Sequence, residues 1–160
     1  MLDEQELADF AKEHVLYEVM MLLRTAAGLG HPWPTVIANA LLESFLLHAR
    51  NLDDFLAAQR SKPLKRFQPV RGTDVVAQDY ARNWAPIPAL NPGDRDYASQ
   101  KVAHLTEFRS DKQPIDVQRI ATQVISQFEN FLATLEPARR AWFESNEPAR
   151  DSSGGGSLVT

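Results

Sequence analysis

The chain is written in a helical period. Apolar residues recur three or four positions apart over long runs, and proline and glycine separate the runs. Ile120, Val124, Phe128, Phe131 and Leu135 are the plainest case, a core stripe without a charge. No apolar–polar alternation lasts long enough to build a sheet. The spacing predicts a first helix from about Asp3 to Ala27, stopped by Gly28-Leu29-Gly30. A second helix follows the stiff connector His31-Pro32-Trp33-Pro34 and reaches about Ala58, with Pro34 in its first turn. Residues 59–73 form a loop broken by Pro63, Pro69 and Gly72, after which Thr73 or Asp74 caps a short helix over 74–81. A further loop through Pro86, Pro88 and Asn91-Pro92-Gly93 leads to a third long helix, capped by Asp94 and running to about Arg109. Pro114 opens a fourth, over 115–135, and Pro137 starts a terminal turn. The expected fold is all-α: a four-helix bundle with a long decorated crossover between the second and third long helices.

A chain of 160 residues is one domain's worth. The bundle is assigned to residues 1–145 and a disordered tail to 146–160, which has too few apolar groups to fold. The absence of cysteine excludes disulfides and thiolate metal sites and makes a reducing cytoplasm the default compartment. The opening MLDEQELADFAKEH is acidic and lacks the order of a secretion signal, and no apolar run is long enough to span a membrane. A net charge of −4 argues against a broad electrostatic grip on nucleic acid, though not against a local basic patch.

The informative residues are polar ones on apolar stripes. On the second helix Leu41, Ser44, Phe45, His48, Asn51, Leu52 and Phe55 share a face, while Arg50 points away toward Glu43 and Asp54. On the first, His14 falls in line with Leu7, Phe10, Tyr17, Glu18 and Met21. On the third, His104 groups with Tyr97, Lys101, Glu107 and Phe108, while Ala98, Val102 and Leu105 offer a competing apolar face that carries Arg109. A buried imidazole needs a hydrogen-bond partner, and Asn51, Tyr17, Glu18 and Glu107 are within helical reach.

Three explanations fit this pattern. One is an interior polar network that fixes helix register. A second is a metal site, but no helix offers the His-x-x-x-His or Glu-x-x-His spacing that bundle sites use, so no metal or other cofactor is expected. The third is a site acting on a phosphodiester, where His moves protons and Arg braces the phosphate charge. His48, Asn51, His104 and Arg109 are then the candidate catalytic residues.

Residues 43–56, ESFLLHARNLDDFL, and 96–109, DYASQKVAHLTEFR, resemble paired helices of HEPN-like proteins, small bacterial helical bundles of toxin–antitoxin, abortive-infection and other defence systems. Lys101-Val102-Ala103-His104 resembles the R/K-x-x-x-AH helix of several HEPN branches, and AKEHVLYEVMMLL at 11–23 adds to the likeness. The resemblance implies a homodimer, a metal-independent ribonuclease activity or RNA binding, and an antitoxin or other protein partner. Catalytic HEPN proteins carry an Arg-x(4–6)-His motif. Here Arg50-Asn51 and Arg82-Asn83 supply its first half without the His, and Gly28 and Gly30 break the helix between Arg24 and His31. The standard site is therefore missing or rebuilt from His48 and His104, which leaves a non-catalytic interaction bundle as the alternative.

One loop bears on partners. Arg60, Lys62, Lys65, Arg66 and Arg71 surround Phe67 without an acid among them. Such a loop can hold a phosphate backbone while Phe67 stacks on a base, and it can equally be a solvated connector. Lys101 joins these as a candidate RNA contact. Trp33, Trp84 and Trp142 sit in or beside connectors, each an interface anchor or a lid over its own core.

Overall fold

In the computed structural model, which describes residues 2–60, 71–99 and 115–144, every regular element is helical. The first helix forms as the sequence dictates. Asp3 Oδ1 accepts from the Glu6 N–H at 2.9 Å and Glu6 Oε2 accepts from the Asp3 N–H at 2.8 Å, a reciprocal capping box. Helix α1 (Glu4–Phe10) then passes through a π turn (Ala11–Val15) into α2 (Leu16–Gly28). Its end is closed by Trp33, whose Nε1–H donates to the Gly28 carbonyl at 2.8 Å.

Helix α3 (Thr35–Ala57) folds back beside α2. Gly28 approaches the Leu41 side chain, and Glu18 meets His48 ten residues earlier on α2 and seven later on α3, so the pair is antiparallel. Helix α6 (Val117–Ala133) packs on both. Its expected stripe of Ile120, Val124, Phe128 and Phe131, with Leu135 just past its end, is buried throughout.

Phe131 is the hub of the core. Its ring meets Phe55, Tyr80, Trp84, Phe128 and Phe143 at centroid distances of 5.4–6.4 Å, mostly edge to face. The polar ends of two of these aromatics find backbone partners: Tyr80 Oη donates to the Leu7 carbonyl at 3.1 Å, and Trp84 Nε1 to the Leu56 carbonyl at 2.8 Å. Trp84 is thus a lid over its own core, Trp142 packs partly buried at the core's edge, and Trp33 is exposed.

Several boundaries differ from expectation. Helix α4 (Ala77–Tyr80) is only one turn long and is preceded by Val76, whose N–H donates to Asp79 Oδ2 at 2.9 Å. Neither Thr73 nor Asp74 caps it. Asp74 Oδ2 instead accepts from the Arg71 N–H at 2.8 Å and closes the turn before. Helix α5 (Pro92–Tyr97) is capped by Asn91, whose Oδ1 accepts from the Asp94 N–H at 2.9 Å. Asp94 lies in the first turn and receives both Nη groups of Arg119 at 2.8 and 2.9 Å. An Asn-Pro pair caps and primes a helix better than an Asp two residues inside it. Ala98 is the buried residue at the end of this described stretch, so the competing apolar face is the inward one there. The expected continuation to Arg109 lies outside the described residues, as do Pro114 and the 146–160 tail.

Helix α7 (Pro137–Arg140) and a 3₁₀ turn (Ala141–Phe143) end the described chain, as Pro137 predicts. Arg139 anchors them, donating to the Tyr80 carbonyl at 2.6 Å and pairing with Glu4. No helix of the described residues is long and apolar enough to cross a membrane.

Candidate functional site

The second half of α3 carries the polar residues that the sequence singles out, and the fold gives each a different neighbour. His48 is 6% exposed. Its Nδ1 lies 2.7 Å from Glu18 Oε2 on α2, and Tyr17 packs edge-on against the ring at 5.7 Å. An ionised carboxylate only accepts, so Nδ1 carries the proton in this pair. Asn51 Nδ2 donates to the same Oε2 at 3.1 Å. The group that lets α3 accept His48 and Asn51 is therefore Glu18. Arg50 turns toward Asp54 at 3.7 Å, a loose surface pair at helical spacing.

Two residues beyond Asn51, Asp53 is completely buried. Its Oδ1 accepts from the Ala89 and Leu90 N–H groups at 2.7 and 2.9 Å, and Arg95 of α5 pairs with its Oδ2. Arg95 also reaches Asp54. Burial pushes the Asp53 carboxyl above its ordinary value, while the Leu90 N–H and Arg95 pull the other way.

Glu18, Arg50, Asn51, Asp54 and Arg95 border a cleft of about 510 Å³ between the α1–α2 helix, the end of α3 and residues 71–76, while His48 and Asp53 stand behind it. Its floor is apolar, with Phe10, Val15, Leu52, Phe55 and Val76. Its rim is charged in both signs: Glu18, Asp54 and Asp74 against Arg50, Arg71 and Arg95, with His14 and Asn51 between. The volume falls within the roughly 300–1,000 Å³ typical of small-molecule sites. A larger groove of about 970 Å³, between residues 12–24 and residues 138–144, is lined by Leu16, Val19, Met20, Leu23 and Trp142 with Lys12, Glu13, Arg24 and Glu144 among them.

His14 is on this rim rather than in the core. The buried stripe of α1–α2 is Leu7, Ala11, Val15, Leu22 and Ala26, so it is centred on small residues to one side of the Phe10–Tyr17 line. His14 is exposed, its ring 4.7 Å from that of Phe10.

The two basic-loop residues that are described behave differently. Arg60 is committed to the fold: Nε and Nη2 bond Asp79 at 2.8 and 2.7 Å, and Nη2 also donates to the Asp74 carbonyl at 2.6 Å. The guanidinium of Arg71 is exposed on the cleft rim and has no side-chain partner among the described residues. Lys62, Lys65, Arg66, Phe67, Lys101, His104 and Arg109 lie outside the described residues.

Sequence reasoning missed the Asp53–Arg95 lock and the cleft. Asp53 had a legible signal, since it occupies the i+4 position of the buried run Ala49, Asp53, Leu56. Arg95 had none, because nothing local says that it reaches back 42 residues. Among the described residues no group of three His, Asp or Glu side chains is placed to hold a metal. Comparison with protein-family models, with curated proteins and with solved structures finds no match to this chain.

Proposed function

We propose that this chain is an RNA-acting helical bundle of a bacterial toxin, defence or stress system, HEPN-like in character and active as a homodimer, which takes a phosphodiester strand into the cleft beside Glu18. The observation that carries this reading is the convergence of Arg50, Arg71 and His14 on one apolar-floored cleft, next to a carboxylate held by His48 and Asn51. Guanidinium groups recognise phosphate, and an apolar floor with an aromatic ring suits an unstacked base. His48 stands behind Glu18 and does not line the cleft, so its part is to position the carboxylate. Any proton transfer at this site falls to His14 or Glu18, and neither needs a metal.

The test is incubation of the purified chain with end-labelled single-stranded RNA, with and without a chelator. Binding that persists in chelator and weakens in Arg71→Ala is expected. Chelator-insensitive cleavage extends the reading to a ribonuclease, and RNA that is neither bound nor cut overturns it.

A second reading is an interaction bundle without chemistry. It is favoured by the completeness of the polar network, since no buried side-chain nitrogen or oxygen among the described residues lacks a partner. If His48→Ala simply unfolds the chain and RNA binding is absent, this reading holds.

A further inference from the structure

Glu18 offers only half of its carboxylate to the fold. Both donors, His48 Nδ1 and Asn51 Nδ2, converge on Oε2. Oε1 has no partner among the described residues, yet no buried polar atom among them is unsatisfied, so Oε1 is open to solvent. The side chain is 24% exposed and lines the cleft. One oxygen is thus pinned by two hydrogen bonds, which fix the carboxylate in direction, while the other is left open on a side chain that lines the cleft. An ionised carboxylate accepts only, so the group it selects is a donor. The same rim carries cations among its acids: Arg71, exposed and without a side-chain partner among the described residues, and Arg50, held only loosely by Asp54, with Asp74 beside them. Between them the floor presents the Phe10 ring with His14 against it, flanked by Val15 and Val76.

A ligand matching all three features has a planar apolar part, an anionic group and a hydroxyl donor. A ribonucleotide has all three. We propose that the cleft is a ribonucleotide subsite in which Glu18 Oε1 accepts from the ribose 2′-hydroxyl, the base lies over Phe10 and His14, and the phosphate meets Arg71 and Arg50. His48 and Asn51 are positioning residues that aim the carboxylate. The inference rests on the RNA reading above and adds what that reading lacks, a named atom that distinguishes ribose from deoxyribose. A deoxynucleotide leaves the presented oxygen without its donor and places a carboxylate beside an apolar carbon.

The experiment compares affinities of the folded chain for a short single-stranded RNA and the DNA of the same sequence, and for adenosine 5′-monophosphate and its 2′-deoxy form. Wild-type chain is expected to prefer the ribose form by about tenfold, the worth of one hydrogen bond to a charged group. Glu18→Gln should reduce that preference to near unity. Arg71→Ala should weaken both sugars equally and leave the ratio intact. Circular dichroism of both variants establishes that they are folded, and Arg71 on its exposed turn keeps the comparison available if Glu18→Gln is unstable. A ribose preference for the mononucleotide without oligonucleotide binding keeps the subsite and overturns the RNA reading. RNA binding with no ribose preference, or with a preference untouched in folded Glu18→Gln, overturns the subsite and leaves the RNA reading standing. Binding of none of the four ligands overturns both.

Discussion

Asp53 is costly to bury as a charge, and three elements share in accommodating it. The backbone at residues 89–90 supplies two N–H donors, Arg95 supplies the countercharge, and α3 supplies the buried position. Removing one member of such a set leaves the others stranded, so Asp53→Ala is expected to lower stability by roughly 3–5 kcal/mol in urea unfolding. The pH dependence follows from burial. A folded carboxyl held above its ordinary value of 3.8 contributes stability that is complete below that value. The contribution is lost as pH rises through the raised folded value. Asp53→Asn has no such titration, so its penalty relative to wild type should grow as pH falls from neutrality. A penalty that shrinks on acidification would mean that pairing with Arg95 outweighs burial. At this scale the sequence was half legible. His48 declared itself through its place on an apolar stripe, and Glu18 was among its possible partners. The partner's identity needed the pairing of α2 with α3, which no local pattern specifies.

Elements were more legible than their ends. Helices α2, α3 and α6 follow from apolar spacing, and the charge-free stripe of α6 is buried as read. That stripe converges on Phe131, so Phe131→Ala is expected to cost about 3–5 kcal/mol, measured as a lowered urea midpoint with unchanged slope. Errors gathered where side-chain capping decides among neighbouring polar residues, as with Asn91 against Asp94 and Asp79 against Asp74. They also arose where small residues hide the true stripe. Ala8, Ala11 and Ala26 are buried on α1–α2, while the larger Phe10 and Tyr17, which dominate a count of apolar bulk, lie to one side. His14 followed those aromatics to the surface, and this is what places it on the cleft.

At the scale of the whole molecule, the described residues expose apolar side chains along the α2–α3 hairpin. Val36 is 72% exposed, and Trp33, Ile37 and Leu47 on the same helix or its connector are also open, as is Leu23 of α2. A second copy of this chain is the occupant the homodimer reading assigns to this face. Sedimentation at micromolar concentration is expected to give twice the 18.0 kDa chain mass, and Leu47→Glu to return it to the single-chain value. A wild-type species at 18.0 kDa removes the dimer. The π turn gives the molecule another kind of latitude. Within it the Leu16 N–H reaches the Ala11 carbonyl, five residues back, so the turn holds one residue more than an unbroken α-helix would. Excising a single residue between 11 and 15 would heal the helical ladder and leave the stretches on either side close to their present register, because the turn already absorbs the extra residue. Leu7 would keep Tyr80 and Glu4 would keep Arg139, whereas the same excision inside α2 would rotate what precedes it by about 100° and draw it in by about 1.5 Å. The place in this helix where a letter can drop out without displacing the rest is therefore the turn that already carries one letter too many.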